Sequence, residues 1–286
     1  MSDNTEEQLT RNVLDSMAHT SNPRLKEVMT SLIHHLHAFI REVELTEEEW
    51  MSSIQFLTRT GQMCDEKRQE FILLSDTMGV TMLVDAINHR LAGEETESTI
   101  FGPFYREGAE ELPLGANISQ DGRGEPAVVM GQVLSTDGTP ISHALLDVWE
   151  TNENGLYEQQ DPDQPDMNLR GKFRTDSEGH YLFVGIKPVS YSIPDDGPVG
   201  QLLRMLGRHP FRPAHIHLLV SAEGFVPVTT HLFVKGDKYL DSDAVFGTKD
   251  SLVVEFVRNT SEQEAARYSV TAPFYIAEFT FVLKPR

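Results

Sequence analysis

Helix breakers are spread very unevenly along this 286-residue chain. Of 15 prolines only Pro23 precedes Gly102, and of 20 glycines only Gly61 and Gly79 precede Gly93. Proline removes a backbone donor and clashes inside a helix, and glycine weakens helices and strands alike, so both punctuate regular elements. The first hundred residues are therefore free to run as helices, whereas the remainder must turn often. Residues 1–100 are expected to form a helical domain and residues 101–286 a β domain.

Local patterns agree with this division. Leu25, Val28, Met29, Leu32, Ile33, Leu36, Phe39 and Ile40 recur at helical spacing, which predicts an amphipathic helix from Arg24 to Ile40. Thr46 ahead of Glu49 predicts a capping box that opens a second helix through Trp50, Ile54 and Leu57. Phe71, Leu74, Met78, Met82 and Ala86 predict a third helix from Glu70 to Leu91. After Ile100, strands are expected at Val128–Leu134, Ala144–Glu150, His180–Ile186, His215–Val220, Val228–Val234 and Phe274–Leu283. Asp137-Gly138, Asn154-Gly155 and Glu178-Gly179 mark turns between them. Strands this dense, without intervening helices, suggest a mainly β fold built as an antiparallel β-sandwich. The polar stretch Asp161–Lys172 is expected to be a long, functional loop.

Charge and cysteine usage narrow the function. With 24 basic and 44 acidic residues the formal net charge is −20, a surface that repels nucleic acid. The single cysteine, Cys64, excludes an intrachain disulfide and a multi-thiolate metal site. The acidic opening from Met1 to Glu7 does not read as a secretion signal, and no apolar run is long enough to be membrane-embedded. A soluble, cytoplasmic protein is expected.

The chemistry concentrates in Arg212-Pro213-Ala214-His215-Ile216-His217. Two histidines at i, i+2 on a strand share a face, so both imidazoles reach one ion. Tyr157 follows the Asn154-Gly155-Leu156 turn and Tyr191 lies between Pro188 and Pro194. Two phenolates added to two imidazoles favour a hard, oxidised ion, Fe(III). Each piece also has a plainer reading: an HxH pair on a polar strand face, or tyrosines anchoring loop ends. A zinc hydrolase using His215 and His217, or a non-catalytic binding module, are the competing classes. His34, His35 and His37 flank the apolar stripe of their helix and read as a solvated face. His89, His143, His180 and His209 lack partners at ligand spacing.

From about Asn22 to Lys284 the chain resembles the intradiol ring-cleaving (catechol 1,2-dioxygenase-like) dioxygenases. The resemblance rests on Gly131-Gln132-Val133, Gly138, Ala144-Leu145-Leu146-Asp147-Val148-Trp149 and Gly155-Leu156-Tyr157. Phe173-Arg174-Thr175-Asp176 to Gly179-His180-Tyr181, Tyr191-Ser192-Ile193-Pro194 and the Arg212–His217 segment follow in the family's order. It implies an enzyme carrying one Fe(III) per chain, held by Tyr157, Tyr191, His215 and His217, with Tyr191 displaced by the substrate. It implies that Arg212 stabilises negative charge on the ring and that His231, where many members carry glutamine, stands close to the site. It implies substrate contacts from Leu73 and Asp76 on one wall and Ile100, Phe101 and Gly102 on another. The partners so implied are an aromatic diol or triol, O2, a second copy through the helical dimerisation/linker domain, and phospholipid at that interface. Asp76 at the ring edge is expected to meet a third hydroxyl, as in the branch that converts hydroxyquinol (1,2,4-trihydroxybenzene) to maleylacetate. Catechol or chlorocatechol cleavage to muconate is the alternative.

Overall fold

The structure is a computed structural model that describes residues 3–65, 68–90 and 93–286. It separates into two compact units, Met1–Arg59 and Thr60–Arg286. The first holds α1 (Asp3–Ser16), α2 (Pro23–Glu42) and most of α3 (Glu47–Gln62). Asn22 caps α2 by accepting the Leu25 N–H at 3.1 Å, with Pro23 in the first turn, where its missing donor costs nothing. The capping box at α3 forms as expected: Thr46 N–H donates to Glu49 Oε2 at 2.9 Å and Glu49 N–H to Thr46 Oγ1 at 3.2 Å. Helix α1 is absent from the sequence reading, because its polar run carries too few apolar residues to show a period.

The helix expected from Glu70 to Leu91 is two helices, α4 (Glu70–Thr77) and α5 (Val80–Asn88). Gly79 breaks them with φ +72°, a left-handed conformation that glycine adopts without strain. Leu91, the expected end, lies outside the described residues. The remaining elements are β1 (Pro126–Ser135), β2 (Leu145–Trp149), β3 (Arg170–Arg174), β4 (His180–Ile186), β5 (Tyr191–Ser192), α6 (Pro198–Met205) and β6 (Phe211–Arg212). They continue with β7 (His215–Ser221), β8 (Val228–Val234), β9 (Val253–Val254), β10 (Val257–Asn259), α7 (Glu262–Arg267) and β11 (Phe274–Leu283).

The β strands form a four-stranded sheet, β10-β11-β1-β4, a five-stranded sheet, β3-β2-β7-β8-β9, and the short ladder β5-β6. The sandwich is mixed and not purely antiparallel, since β1 runs parallel to β11 and β8 parallel to β9. A parallel pair needs a long crossover, and the chain between Ser135 and Phe274 supplies it for β1 and β11. Two expectations give way. Helices α6 and α7 interrupt the strands, and Arg170 to Lys172 are paired in β3 instead of looped. Its charged sequence, RGKFR, hides that strand.

Alternation divides each strand between core and site. Leu146, Val148, Ile216, Leu218, Val220 and Leu232 are fully buried against Val129, Phe183 and Phe281 of the other sheet. Truncating any one of these leucines or isoleucines to alanine removes about 2–5 kcal/mol. Trp149, His215, His217, His231 and Phe233 occupy the opposite face of the five-stranded sheet. Register aligns them there: Trp149 pairs with His217, His217 with His231, and His215 with Phe233.

Candidate metal centre

Tyr157 reaches this face from a tight turn. Asn152 Oδ1 accepts the N–H groups of Asn154 and Leu156, both at 3.0 Å, and the Tyr157 N–H donates to Gln160 Oε1. Gly155 has φ +76° and a Cβ there would come within 2.7 Å of the Tyr191 Cβ, so only glycine lets the two loops meet. Tyr191 is aimed by the β5-β6 ladder, which pairs it with Arg212. Phe104 stacks on the Tyr157 ring at 4.6 Å, and Trp149 on the His217 ring at 4.8 Å.

Four potential donor atoms thereby form one chain. His215 Nε2 lies 3.2 Å from His217 Nε2 and 3.5 Å from Tyr191 Oη, which lies 3.4 Å from Tyr157 Oη. All four side chains are at least nine-tenths buried. His215 donates its Nδ1–H to the Pro213 carbonyl at 2.7 Å, which leaves its Nε2 lone pair facing inward. Behind His217, His231 Nε2 sits 2.7 Å from Nδ1. A lone pair on His217 Nε2 requires its Nδ1–H to donate to His231, the outer partner that metal-bound histidines use. His231 Nδ1 is then a buried N–H with no partner among the described residues. His215, His217 and His231 together form a cluster able to hold a metal ion.

Electrostatics suit a cation. Burial, then the neighbouring positive charges, holds all three imidazoles neutral well below the usual histidine range. Burial and the nearby Tyr191 push the Tyr157 phenol well above its usual range. Two neutral imidazoles and two phenols, converging without a counter-charge among them, are a donor set for a hard or borderline ion that would draw off the phenolic protons. Burial opposes the charge on Arg212, yet Asp243 and the tyrosines outweigh it and hold the guanidinium charged. Its Nη1 lies 3.2 Å from His215 Nε2.

Beside these groups is a cavity of about 160 Å³ lined by Leu73, Asp76, Ile100, Tyr191, Arg212 and Val245, among others. The structure thus brings Leu73, Asp76 and Ile100 together with Arg212 and Tyr191. It does not bring Phe101 and Gly102 to the same wall. Phe101 packs on Tyr105 and Trp149 and borders a separate cleft of about 600 Å³. Gly102 backs the His217 ring, where a Cβ would stand 3.0 Å from Cε1. Asp76 is 5% exposed, and its Oδ1 has no hydrogen-bond partner among the described residues. Burial raises its pKa, with Thr81 and Arg212 opposing.

Sequence reasoning misses several neighbours. Glu158 accepts from Arg170 Nε at 2.9 Å and from Arg106 at 2.8 Å, while Arg170 Nη2 reaches the Phe104 carbonyl at 2.7 Å. This network ties the Tyr157 turn to the cavity wall. Adjacency to Tyr157 is the sequence signal for Glu158, and Arg170 falls within the stretch expected to be functional; Asp243 carries no such signal.

Comparison with known proteins places the chain among relatives. Residues 100–285 match the family described as Dioxygenase, and residues 22–96 match Catechol dioxygenase N terminus. The chain is 51% identical over 280 residues to hydroxyquinol 1,2-dioxygenase of Rhizobium sp. (strain MTP-10005), covering 97% of this chain and 95% of that one. It is 46% identical over 277 residues to 6-chlorohydroxyquinol 1,2-dioxygenase of Cupriavidus pinatubonensis (strain JMP 134 / LMG 1197), covering 97% and 96%. The solved hydroxyquinol 1,2-dioxygenase of Pseudomonas putida DLL-E4 superposes with a TM-score of 0.95 at 48% identity, covering 100% of both chains.

Proposed function

This chain belongs to the intradiol ring-cleaving dioxygenases, and we propose that its substrate is hydroxyquinol, opened with O2 between adjacent hydroxylated carbons to give maleylacetate. The observation that carries the substrate is Asp76, a buried residue of the cavity lining whose Oδ1 has no hydrogen-bond partner among the described residues. A buried acceptor left unmet costs about 1–3 kcal/mol, and a third ring hydroxyl would meet it where catechol would not. The cavity volume also fits one ring, since apolar cavities on the order of 150 Å³ take up benzene. The close relatives named for hydroxyquinol and 6-chlorohydroxyquinol support the same reading.

In this reading Tyr157, Tyr191, His215 and His217 hold one Fe(III) per chain. Bound there, Fe(III) supplies Lewis acidity toward the phenols and the diol, and accepts electron density from the diol. The residues do the rest. Tyr191 borders the cavity, so its phenolate oxygen, deprotonated where it would hold the ion, would take up a substrate proton and become a hydroxyl when the diol enters. Arg212 places a fixed positive charge against the deprotonated ring oxygens. Leu73 and Ile100 exclude water from the ring face, and Asp76 orients the third hydroxyl. His231 fixes the His217 tautomer.

The helical unit has its own task. The apolar residues Leu25, Leu32, Leu36 and Phe39 of α2 are 45–51% exposed. A stripe of that size supports residues 1–100 as a dimerisation/linker domain that carries phospholipid between two copies, beside a catalytic domain over 101–286. No helix among the described residues is long and apolar enough to cross a membrane, and a cytoplasmic location is part of this proposal.

The test is oxygen uptake by iron-loaded protein on hydroxyquinol and catechol, with products identified. Maleylacetate formed much faster than muconate is the expected result. Equal or faster cleavage of catechol would reject hydroxyquinol as the preferred substrate.

A further inference from the structure

Arg212 is gripped by a carboxylate that has no part in the reading above. Asp243 follows a short 3₁₀ turn at Leu240–Ser242, and its side chain is 1% exposed. Its Oδ1 accepts Arg212 Nε–H at 3.1 Å and the Val245 N–H at 3.2 Å. Its Oδ2 accepts Arg212 Nη2–H at 3.2 Å and the Gly247 N–H at 3.0 Å. Four donors therefore hold the carboxylate, two from the guanidinium fork and two from its own turn. A guanidinium is planar, so fixing Nε and Nη2 fixes the plane and the direction of Nη1. Nη1 is the nitrogen directed toward the donor chain, at His215 Nε2.

The same turn carries a wall of the cavity. Val245 lines it two residues after Asp243. Arg208 secures the turn from outside, donating to the Ala244 carbonyl at 2.9 Å and to the Thr77 carbonyl at 2.6 Å. Thr77 directly follows Asp76, so one chain of bonds links the charge-bearing Arg212 to the helix that carries Asp76. Gly247 is packed close, since a Cβ there would meet Arg212 Nη2 at 3.0 Å and Asp243 Oδ2 at 3.2 Å.

We infer that Asp243 is a positioning residue for ring cleavage: it orients Arg212 so that Nη1 alone faces the substrate, in register with the Val245 wall. The inference rests on the role given to Arg212 above. Asp243 itself does not line the cavity or contact the donor atoms; it acts on the ring through Arg212, while its bond from the Val245 N–H holds the neighbouring wall. A merely structural ion pair would instead change folding or metal content.

The experiment is a double-mutant cycle on the iron-loaded full-length chain with hydroxyquinol. Asp243→Asn keeps the shape but loses charge and one acceptor pattern. Its kcat is expected to fall about 10- to 100-fold with KM within about 3-fold and the visible absorption of the iron-loaded protein unchanged. Arg212→Gln alone is expected to fall at least as far, and adding Asp243→Asn to it to cost less than about 2-fold more. Wild-type kcat in Asp243→Asn, or effects that multiply in the double variant, would overturn the inference while leaving Arg212 its role. Wild-type kcat in Arg212→Gln would remove that role, and this inference with it. If Asp243→Asn does not fold, Asp243→Glu decides: its longer chain displaces the fork, so kcat should drop at least about 3-fold with the spectrum unmoved, and full activity would overturn the inference.

Discussion

The chain carries two groups of three histidines, and they could hardly differ more. His34, His35 and His37 lie on α2, where His34 and His35 are exposed and His37 shares a hydrogen bond of 2.9 Å with Thr10. His215, His217 and His231 lie on paired strands, 0–2% exposed, with nitrogens 2.7–3.2 Å apart. On a helix, side chains at i, i+1 and i+3 fan outward. On adjacent strands in register they stack on one face, and a sheet face is readily covered. Histidine chemistry here follows burial and register, not local density.

The sharpest way to break the comparison is to remove donors from each group. On the proposed ligand set, loss of Tyr157 or His215, as Tyr157→Phe or His215→Ala, should abolish the tyrosinate-to-iron absorption expected of the iron-loaded protein. It should also lower activity beyond the roughly 100-fold that loss of an outer partner costs. An unchanged visible band would exclude the altered residue as a ligand. Smaller, but still large, is the effect behind His217: His231→Ala should weaken iron retention about 10- to 100-fold. Competition with a chelator measures it, and wild-type retention would leave His231 only a packing role.

Substrate choice comes next. Asp76→Val should shift the ratio of kcat/KM from hydroxyquinol toward catechol by roughly 10- to 100-fold, the worth of one unmet polar group. An unaltered ratio would remove Asp76 from substrate selection.

The buried trio also predicts a pH effect on the metal-free protein. Because the fold holds these imidazoles below the usual value of 6.5, the unfolded chain binds protons that the folded chain refuses. Their contribution is complete above pH 6.5 and is lost as pH falls through that value toward the depressed folded values. The loss is about 1.4 kcal/mol per pH unit for each histidine. Urea unfolding at pH 7.5 and 5.5 should show it, with a shallower slope in His231→Gln. Equal slopes in the two proteins would place His231 outside the linkage. The smallest effect is expected from His34→Gln and His35→Gln, which should leave iron content and turnover unchanged. A loss of iron in either would undo the contrast between the two groups.

Strong local signals survived into the structure. The capping box at Thr46 and Glu49 and the strands His180–Ile186, Val228–Val234 and Phe274–Leu283 stand where periodicity put them. Weak or contradictory signals did not. Gly79 splits a helix whose apolar pattern continues across it, and Arg170 to Lys172, expected in a loop, belong to the strand Arg170–Arg174 because its partners, not its composition, make it a strand. Phe101 adjoins the cavity residue Ile100 in sequence, yet its ring packs against Trp149 and Tyr105.

What the sequence determined alone was therefore local: the helical first third, the strand alternation that put His215 and His217 on one face, and the donor types that favour a hard metal ion. Family resemblance extended this to an aromatic substrate cleaved with O2. Only tertiary structure decided which groups lost their water. The approach of Tyr157 to Tyr191 across 34 residues, the grip of Asp243 on Arg212 across 31, and the orphaned Asp76 oxygen depend on loops closing over one sheet face. Burial converts ordinary imidazoles, phenols and a carboxyl into a site, and burial is a property of the assembled fold that no single segment encodes.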